Sequence, residues 1–285
     1  MNALPDRRLN AFRPDLAEET LKGTVAAERY VTGVPAGIAV PVAALRPRPD
    51  EAVGIDTQVL FGEGVRVLDR AAGWAWVKSD FDGYVGYLPE TALDAAAAPA
   101  THVVGVPRTF AYTGPDLRTP AAFALSIGSR LTVVGESETR GTRYFTLEGG
   151  QSVIAGHCLP AGGTAGGDYV AIAGRFLETP YLWGGRSGFG LDCSALVQLS
   201  MMMAGRSAPR DSDMQAAGLG TPVAREELRR GDLVFWKGHV AIMEDETTII
   251  HANGHTMSVA REPLAAAIER TAYLYQQPTG YRRPV

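Results

Sequence analysis

Apolar positions recur along this chain with periods that change from one segment to the next. In residues 1–35, Leu16, Thr20, Leu21 and Val25 stand at helical spacing among charges, which predicts short amphipathic turns in a packed N-terminal extension. Over 36–95 the period drops to two: QVLFG, VRVLD, WAWVK and YVGYL are short alternating runs broken at Gly62, Gly64, Gly73 and Asp82-Gly83. Strands this short and this close predict a small barrel. Asp82-Gly83 predicts a type I′ hairpin with positive φ at both central residues. DAAAAPA at 94–100 reads as a linker. Alternating runs resume over 101–160, where IGSRLTVVGE at 127–136 echoes FGEGVRVLDR at 61–70 and predicts a second copy of the barrel unit. GGTAGG at 162–167 makes a joint, and beyond it Tyr169, Ile172, Ala173, Phe176 and Leu177 follow helical spacing, so a further domain occupies 165–285.

Composition agrees with several small units. At roughly 150 residues per domain, 285 residues accommodate one ordinary domain and two small ones. The 33 glycines and 18 prolines call for many turns and exclude an all-helical protein, while 46% hydrophobic against 20% charged residues excludes a disordered one. With 27 basic and 31 acidic side chains the net charge is −4, and no block of like charge is long enough to track a phosphate backbone, so nucleic acid is not an expected partner. No run of 18 apolar residues occurs, so no membrane-spanning helix is expected. The start, MNALPDRRLNAFRPDLAEETLKG, is charged throughout and unlike a secretory leader, which points to the cytoplasm. Two cysteines, Cys158 and Cys193, do not make a disulfide scaffold and are expected as free thiols. His157-Cys158 offers two adjacent ligands without partners, so neither metal nor cofactor is expected.

The segment with the most chemistry is PYLWGGRSGFGLDCSALVQLSMMMAG, in which a glycine-rich stretch runs into Asp192-Cys193-Ser194 and then into helical spacing. Cys193 should open a helix, where unpaired N–H groups favour the thiolate, and the glycines before it would let a substrate backbone come close. A nucleophilic thiol needs a base. GDLVFWKGHVAIMEDETTIIHANG reads as three strands joined by turns, with His239 and His251 on two of them. If Glu244 to Glu246 form a three-residue connection, the two histidines stand directly opposite on one face, with Cβ atoms ~5 Å apart; a two-residue turn would put them on opposite faces. Such a pair supplies one imidazole to take the thiol proton and a second group to orient the first.

YLWGG, LDCSALVQ, PRDSDMQ, GDLVFW, GHVAI and HANG, in that order over roughly 165 to 285, resemble the NlpC/P60 cysteine peptidases of bacterial cell-wall peptides. The resemblance implies an α+β, papain-like catalytic domain preceded by two small SH3-like β-barrels. It implies Cys193 as nucleophile, His239 as general base and acid, and His251 as the orienting member, acting on the γ-D-glutamyl-L-diamino acid bond of murein stem peptides. It further implies Asp192 as partner of the free amine of L-Ala, Ser194 and Ser212 as ligands of the D-Glu α-carboxylate, Tyr181 beside the nucleophile and Trp183 along the groove. In the first barrel, Tyr84 or Tyr87 would close one end of the cleft, while the second barrel, GGQSVIAGHCL in place of GYVGYL, lacks that aromatic and is expected to be scaffold. The arrangement is similar to enzymes that recycle L-Ala-γ-D-Glu peptides inside the cell. Two other readings remain open at this point: a cell-wall-binding module with vestigial catalysis, and a thiol amidase or acyltransferase on the same fold.

Overall fold

The structure, a computed structural model, describes residues 4–95 and 99–284. It divides into two compact units, one running to Val104 and including Thr109–Ala161, the other made of Gly105–Arg108 and the chain from Gly162 onward. Ala96 to Ala98, the middle of the expected linker, lie outside the described residues, whereas Asp94 and Ala95 belong to a strand, Leu93–Ala95.

In the first unit, residues 34–95 build a five-stranded sheet and a separate strand pair. The sheet pairs Val34–Ile38 with both Gly64–Ala71 and the closing strand Leu93–Ala95, and Val42–Leu45 pairs with Thr57–Leu60. Alternation places Ile38, Leu45, Val59, Val65, Val67, Ala75, Val77 and Leu88 inward, in one apolar cluster. The N-terminal segment is not helical as its spacing predicts. Leu16–Glu18 pairs in parallel with Arg29–Val31, and only Glu19–Leu21 makes a 3-10 turn. Burial overrides the weak periodicity here, because Ala11 and Leu16 are drawn onto Leu68, Trp76 and Val85 of the sheet.

The hairpin at Asp82-Gly83 also departs from expectation. Gly83 has φ +75° but Asp82 is not in the left-handed region, and Ser79 N–H reaches Tyr84 O across a four-residue loop. The two-residue turn with both φ positive lies one hairpin earlier, at Ala72 (52°) and Gly73 (80°), between the paired Ala71 and Trp74. Arg140 (56°) and Gly141 (77°) occupy the same place between Thr139 and Thr142 in residues 101–160.

That second segment repeats further details. It has sheets of three and five strands. Its closing strand Cys158–Pro160 follows a 3-10 turn, Ala155–His157, and pairs with the opening strand His102–Val104, as Leu93–Ala95 follows Glu90–Ala92 and pairs with Val34–Ile38. Gly62 and Gly128, aligned in the sequence echo, both have positive φ, +72° and +86°. A Cβ on Gly62 would lie 2.1 Å from the carbonyl oxygen of Arg130. Gly62→Ala should therefore destabilise the protein by about 1–3 kcal/mol, read as a lower urea midpoint; an unchanged midpoint would mean that this contact is not made in solution.

In the second unit, the helix Tyr169–Gly174 is capped by Asp168, whose carboxylate accepts from Val170 and Ala171 N–H. It is shorter than its apolar spacing suggests, and Phe176 is carried by a turn bonded to Ala173 O. Behind it stands an antiparallel sheet in the order Thr221–Pro222, Gly280–Arg283, Leu233–Trp236, His239–Met243, Thr248–Asn253, Ser258–Pro263. Val234, Trp236, Ala241, Met243 and Ile249 share a face and pack against Leu264, Ala267 and Ile268 of the helix Leu264–Tyr275. The helix Cys193–Met203 lies across the two histidine-bearing strands. All of its residues except Met202 are buried, the polar Ser194, Gln198 and Ser200 among them. Among the described residues no helix is long and apolar enough to cross a membrane, and no group of three or more His, Cys, Asp or Glu side chains could hold a metal ion.

Candidate active site

Cys193 is the first residue of its helix, as the sequence predicts, with Asp192 as N-cap. The Asp192 carboxylate accepts from Ala195 N–H at 2.8 Å, from Gly184 N–H at 3.1 Å and from the Ser194 hydroxyl at 3.2 Å. Arg210, 1% exposed, donates to the same carboxylate through both terminal nitrogens, at 3.0 and 2.6 Å, and to Ser194 Oγ at 3.0 Å. A carboxylate offers about four lone-pair sites, and five donors already converge on this one. In the resting structure these contacts cap the helix and fix the turn before the nucleophile. Ser194, 5% exposed, belongs to the same network rather than to an open surface. Gln215 closes it by donating to Ser194 O at 3.0 Å and Pro209 O at 2.8 Å.

The glycines before Cys193 let the chain approach itself. Pro180 to Leu182 run beside Leu191, with Leu182 N–H bonded to Leu191 O, and a Cβ on Gly185 would lie 2.6 Å from Gly190 O. Close packing of this hairpin, rather than approach of a substrate backbone, accounts for that pair. Tyr181 is half-buried on the hairpin and its N–H bonds Met257 O. Trp183 is 70% exposed, and Ser212 is half-buried at the start of the helix Ser212–Gly218. Tyr84 belongs to the first unit and is buried there; Tyr87 stacks on Trp76 and accepts a hydrogen bond from Arg13.

The two histidines do share a face, by a different register. The ladder pairs Ile242 with Ile250 and Met243 with Ile249, so the two strands close on the five residues 244–248 rather than on three. Extended along the strands, this register sets His251 opposite Ala241, so His239 and His251 are diagonal neighbours. Parity is conserved when the register moves by two, and long side chains bridge a diagonal that Cβ atoms alone do not. His239 Nε2 meets His251 Nδ1 at 2.9 Å, with the rings edge to face, and Trp236 packs against His239 with centroids 5.6 Å apart.

One strand further on, His251 pairs with Ala260, and the next residue on that face is Glu262. Its Oε1 lies 2.8 Å from His251 Nε2 and also receives the Arg270 guanidinium. Burial raises the Glu262 carboxyl, but the hydrogen bonds and charges of His251 and Arg270 outweigh it and hold the group below the usual carboxylate range.

The protonation states differ from the thiolate expected at a helix N-terminus. Burial pushes the Cys193 thiol up to about 12, and the Asp192 charge adds to this; the N–H groups of Val240 and Ser194 and the Arg210 charge act the other way without overcoming it. Burial, with His251 and Arg270, depresses the His239 imidazole to about 3 against the pull of Glu262. Desolvation exceeds the dipole, which is worth at most ~2 kcal/mol. The resting pair is thus neutral thiol and neutral imidazole. The Val240 N–H at the sulfur places Cys193 beside the backbone of the residue that follows His239.

A thiol, two hydrogen-bonded imidazoles and a carboxylate are the groups that thiol-based acyl chemistry requires. Residues 178–276 match the NlpC/P60 family model, and residues 45–93 match that of the bacterial dipeptidyl-peptidase Sh3 domain. The Cys193 unit is an NlpC/P60 cysteine peptidase domain. Among its relatives, the γ-D-glutamyl-L-lysine dipeptidyl-peptidase of Bacillus cereus strain ATCC 10987 is 29% identical over 74% of this chain and 71% of its own length. The enzyme of the same name from Bacillus subtilis strain 168 is 32% identical over 64% of each chain. The crystal structure of an NlpC/P60 family protein from Bacillus cereus ATCC 10987 superposes with TM-score 0.72 at 25% identity, covering 88% of this chain and 99% of that one.

Arg210, Gln215, Glu262 and Arg270 escape the sequence reading. Arg210 stands inside the PRDSDMQ motif, but nothing local marks an arginine as buried. Glu262 could have been found by continuing the parity argument through one more hairpin, since Asn253 pairs with Ser258 and every second residue after it returns to the histidine face.

Proposed function

We propose that this protein is a cysteine endopeptidase that hydrolyses the γ-D-glutamyl-L-diamino acid bond of murein stem peptides beginning with a free L-Ala. The observation that carries the proposal is the juxtaposition of a helix-opening Cys193 with the His239–His251 pair, on a chain whose relatives bear the name γ-D-glutamyl-L-lysine dipeptidyl-peptidase. In this mechanism His239 takes the thiol proton as sulfur adds to the acyl carbon, His251 orients it, and the protonated His239 gives the proton to the leaving amine. Water then hydrolyses the thioester with His239 again as base.

Tyr181, Ser212 and the exposed Trp183 are proposed to face the peptide, with Ser194 acting through the Asp192–Arg210 network. Tyr84 is assigned to packing in the first barrel. The segment 101–160 is proposed to be a divergent second copy of that barrel, on the shared turns and closing strand, with a scaffold role. A purely wall-binding protein would have no use for a complete Cys193, His239 and His251 set.

The test is mass spectrometry of L-Ala-γ-D-Glu-L-lysine and L-Ala-γ-D-Glu-diaminopimelate beside the same peptides carrying N-acetylmuramate. Cleavage of the free-amine peptides with kcat/KM at least about tenfold above the capped ones is expected and would mark a peptide-recycling enzyme. Equal rates would overturn the free-amine specificity in favour of wall remodelling. Because Arg210 and the helix N-terminus already engage Asp192, Asp192→Asn should lower turnover of every cleavable peptide by a similar factor; a loss confined to free-amine peptides would mark it as an amine ligand.

A further inference from the structure

We propose that Glu262, held by Arg270, is a positioning residue that decides which ring nitrogen of His251, and through it of His239, carries the proton. The inference rests on the thiol-hydrolase reading above and adds a fourth member to it. Three adjacent strands contribute one side chain each, His239, His251 and Glu262, each stepped diagonally from the last on a single face. The row ends on Arg270 of the covering helix.

The distances leave little freedom in placing protons. His251 Nε2 and Glu262 Oε1 are 2.8 Å apart, with the ring turned so that the N–H does not lie on the line of centres, and Nε2 has no other acceptor among the described residues. Even off that line, a lone pair on a nitrogen 2.8 Å from a carboxylate oxygen is repelled whereas an N–H is attracted, so Nε2 carries hydrogen. Arg270 compensates the carboxylate, which therefore accepts the hydrogen bond as an anion.

In neutral His251 the other nitrogen, Nδ1, is then a lone pair. It faces His239 Nε2 at 2.9 Å, which must be the donor. His239 is left with a bare Nδ1, the form needed to receive the proton of the Cys193 thiol. Transfer gives thiolate and an imidazolium that still donates from Nε2 to His251, so no second proton has to move. The groups acting on His239 here are His251 on the neighbouring strand, Glu262 on the edge strand and Arg270 on the helix, with the Trp236 ring against it.

If Glu262 were an amide, its NH2 could donate to His251 Nε2. His251 would then prefer hydrogen on Nδ1, His239 would become the acceptor at Nε2, and its own hydrogen would sit on Nδ1, leaving no lone pair to take the thiol proton. Two-bond 1H–15N spectra of the full chain with labelled histidine test this directly. Hydrogen on Nε2 and a bare Nδ1 are expected for both rings, and hydrogen on His251 Nδ1 in the native protein would overturn the proposal.

In folded Glu262→Gln we expect kcat to fall by at least about tenfold, by analogy with loss of an orienting carboxylate, with KM little changed. Alkylation of Cys193 by iodoacetamide at neutral pH should slow in parallel. Glu262→Asp should recover most of both rates. Rates within about twofold of native in folded Glu262→Gln, against the 10²–10⁴-fold worth of a positioned base, would also overturn it. Spectra and alkylation need no substrate, so failure of the native enzyme to cut murein peptides would sink the substrate assignment and leave this one standing.

Discussion

Replacing Cys193 by alanine or serine should abolish peptide hydrolysis, lowering kcat by roughly 10⁴-fold or more, while leaving the fold intact. The side chain is small and 6% exposed, so loss of stability should stay within about 1–2 kcal/mol. Both cysteines are free and burial pushes both thiols up to about 12, so intrinsic acidity does not distinguish them. Cys158 is the more accessible of the two, so a preference of an alkylating reagent for Cys193 must come from a neighbouring base. Iodoacetamide should label Cys193 before Cys158, and His239→Ala should remove that preference without changing the rate at Cys158. Full turnover by Cys193→Ala, or labelling indifferent to His239, would exclude the thiol–imidazole mechanism.

The second large effect concerns Arg210. Arg210→Ala strips both donor nitrogens from the Asp192 carboxylate and one from Ser194, leaving a charge in a site that water barely reaches. Breaking a buried pair from one side costs about 3–5 kcal/mol, so the urea midpoint should fall sharply at unchanged slope. Arg210→Lys should recover only part, since one ammonium cannot reproduce the fork. The combined Arg210→Met and Asp192→Asn variant should be more stable than Arg210→Ala, because no ion is then left unpaired, yet it should be poorly active because the turn before Cys193 loses its restraint. A change below about 1 kcal/mol in Arg210→Ala would put this pair with surface ion pairs of that size and contradict the network described here.

Why some of this was legible in the chain and some was not follows from the range of each interaction. Alternation in WAWVK and YVGYL, the helical run from Cys193, and the capping Asp192 are local, and each element forms where the pattern places it. Helical spacing at Leu16 to Val25 misled because so short a segment gains more by laying Leu16 on Trp76 and Leu68 than by closing helical hydrogen bonds. Asp82-Gly83 carried the residue types of a tight hairpin, yet the strand partners met elsewhere and Ala72-Gly73 took that turn.

At the site, the sequence by itself determined the chemical cast and its parity. A cysteine opens a helix after a capping aspartate, and two histidines sit on adjacent strands an even number of residues apart, so any register shifted by two keeps them on one face. The tertiary structure decided the diagonal pairing, the ion pair of Asp192 with Arg210, the neutral resting state of the thiol, and the entry of Glu262 and Arg270 behind His251. These depend on which distant groups share a desolvated volume. In that volume a partner eighteen residues away, or a carboxylate one strand further on, outweighs anything the neighbours in sequence can supply.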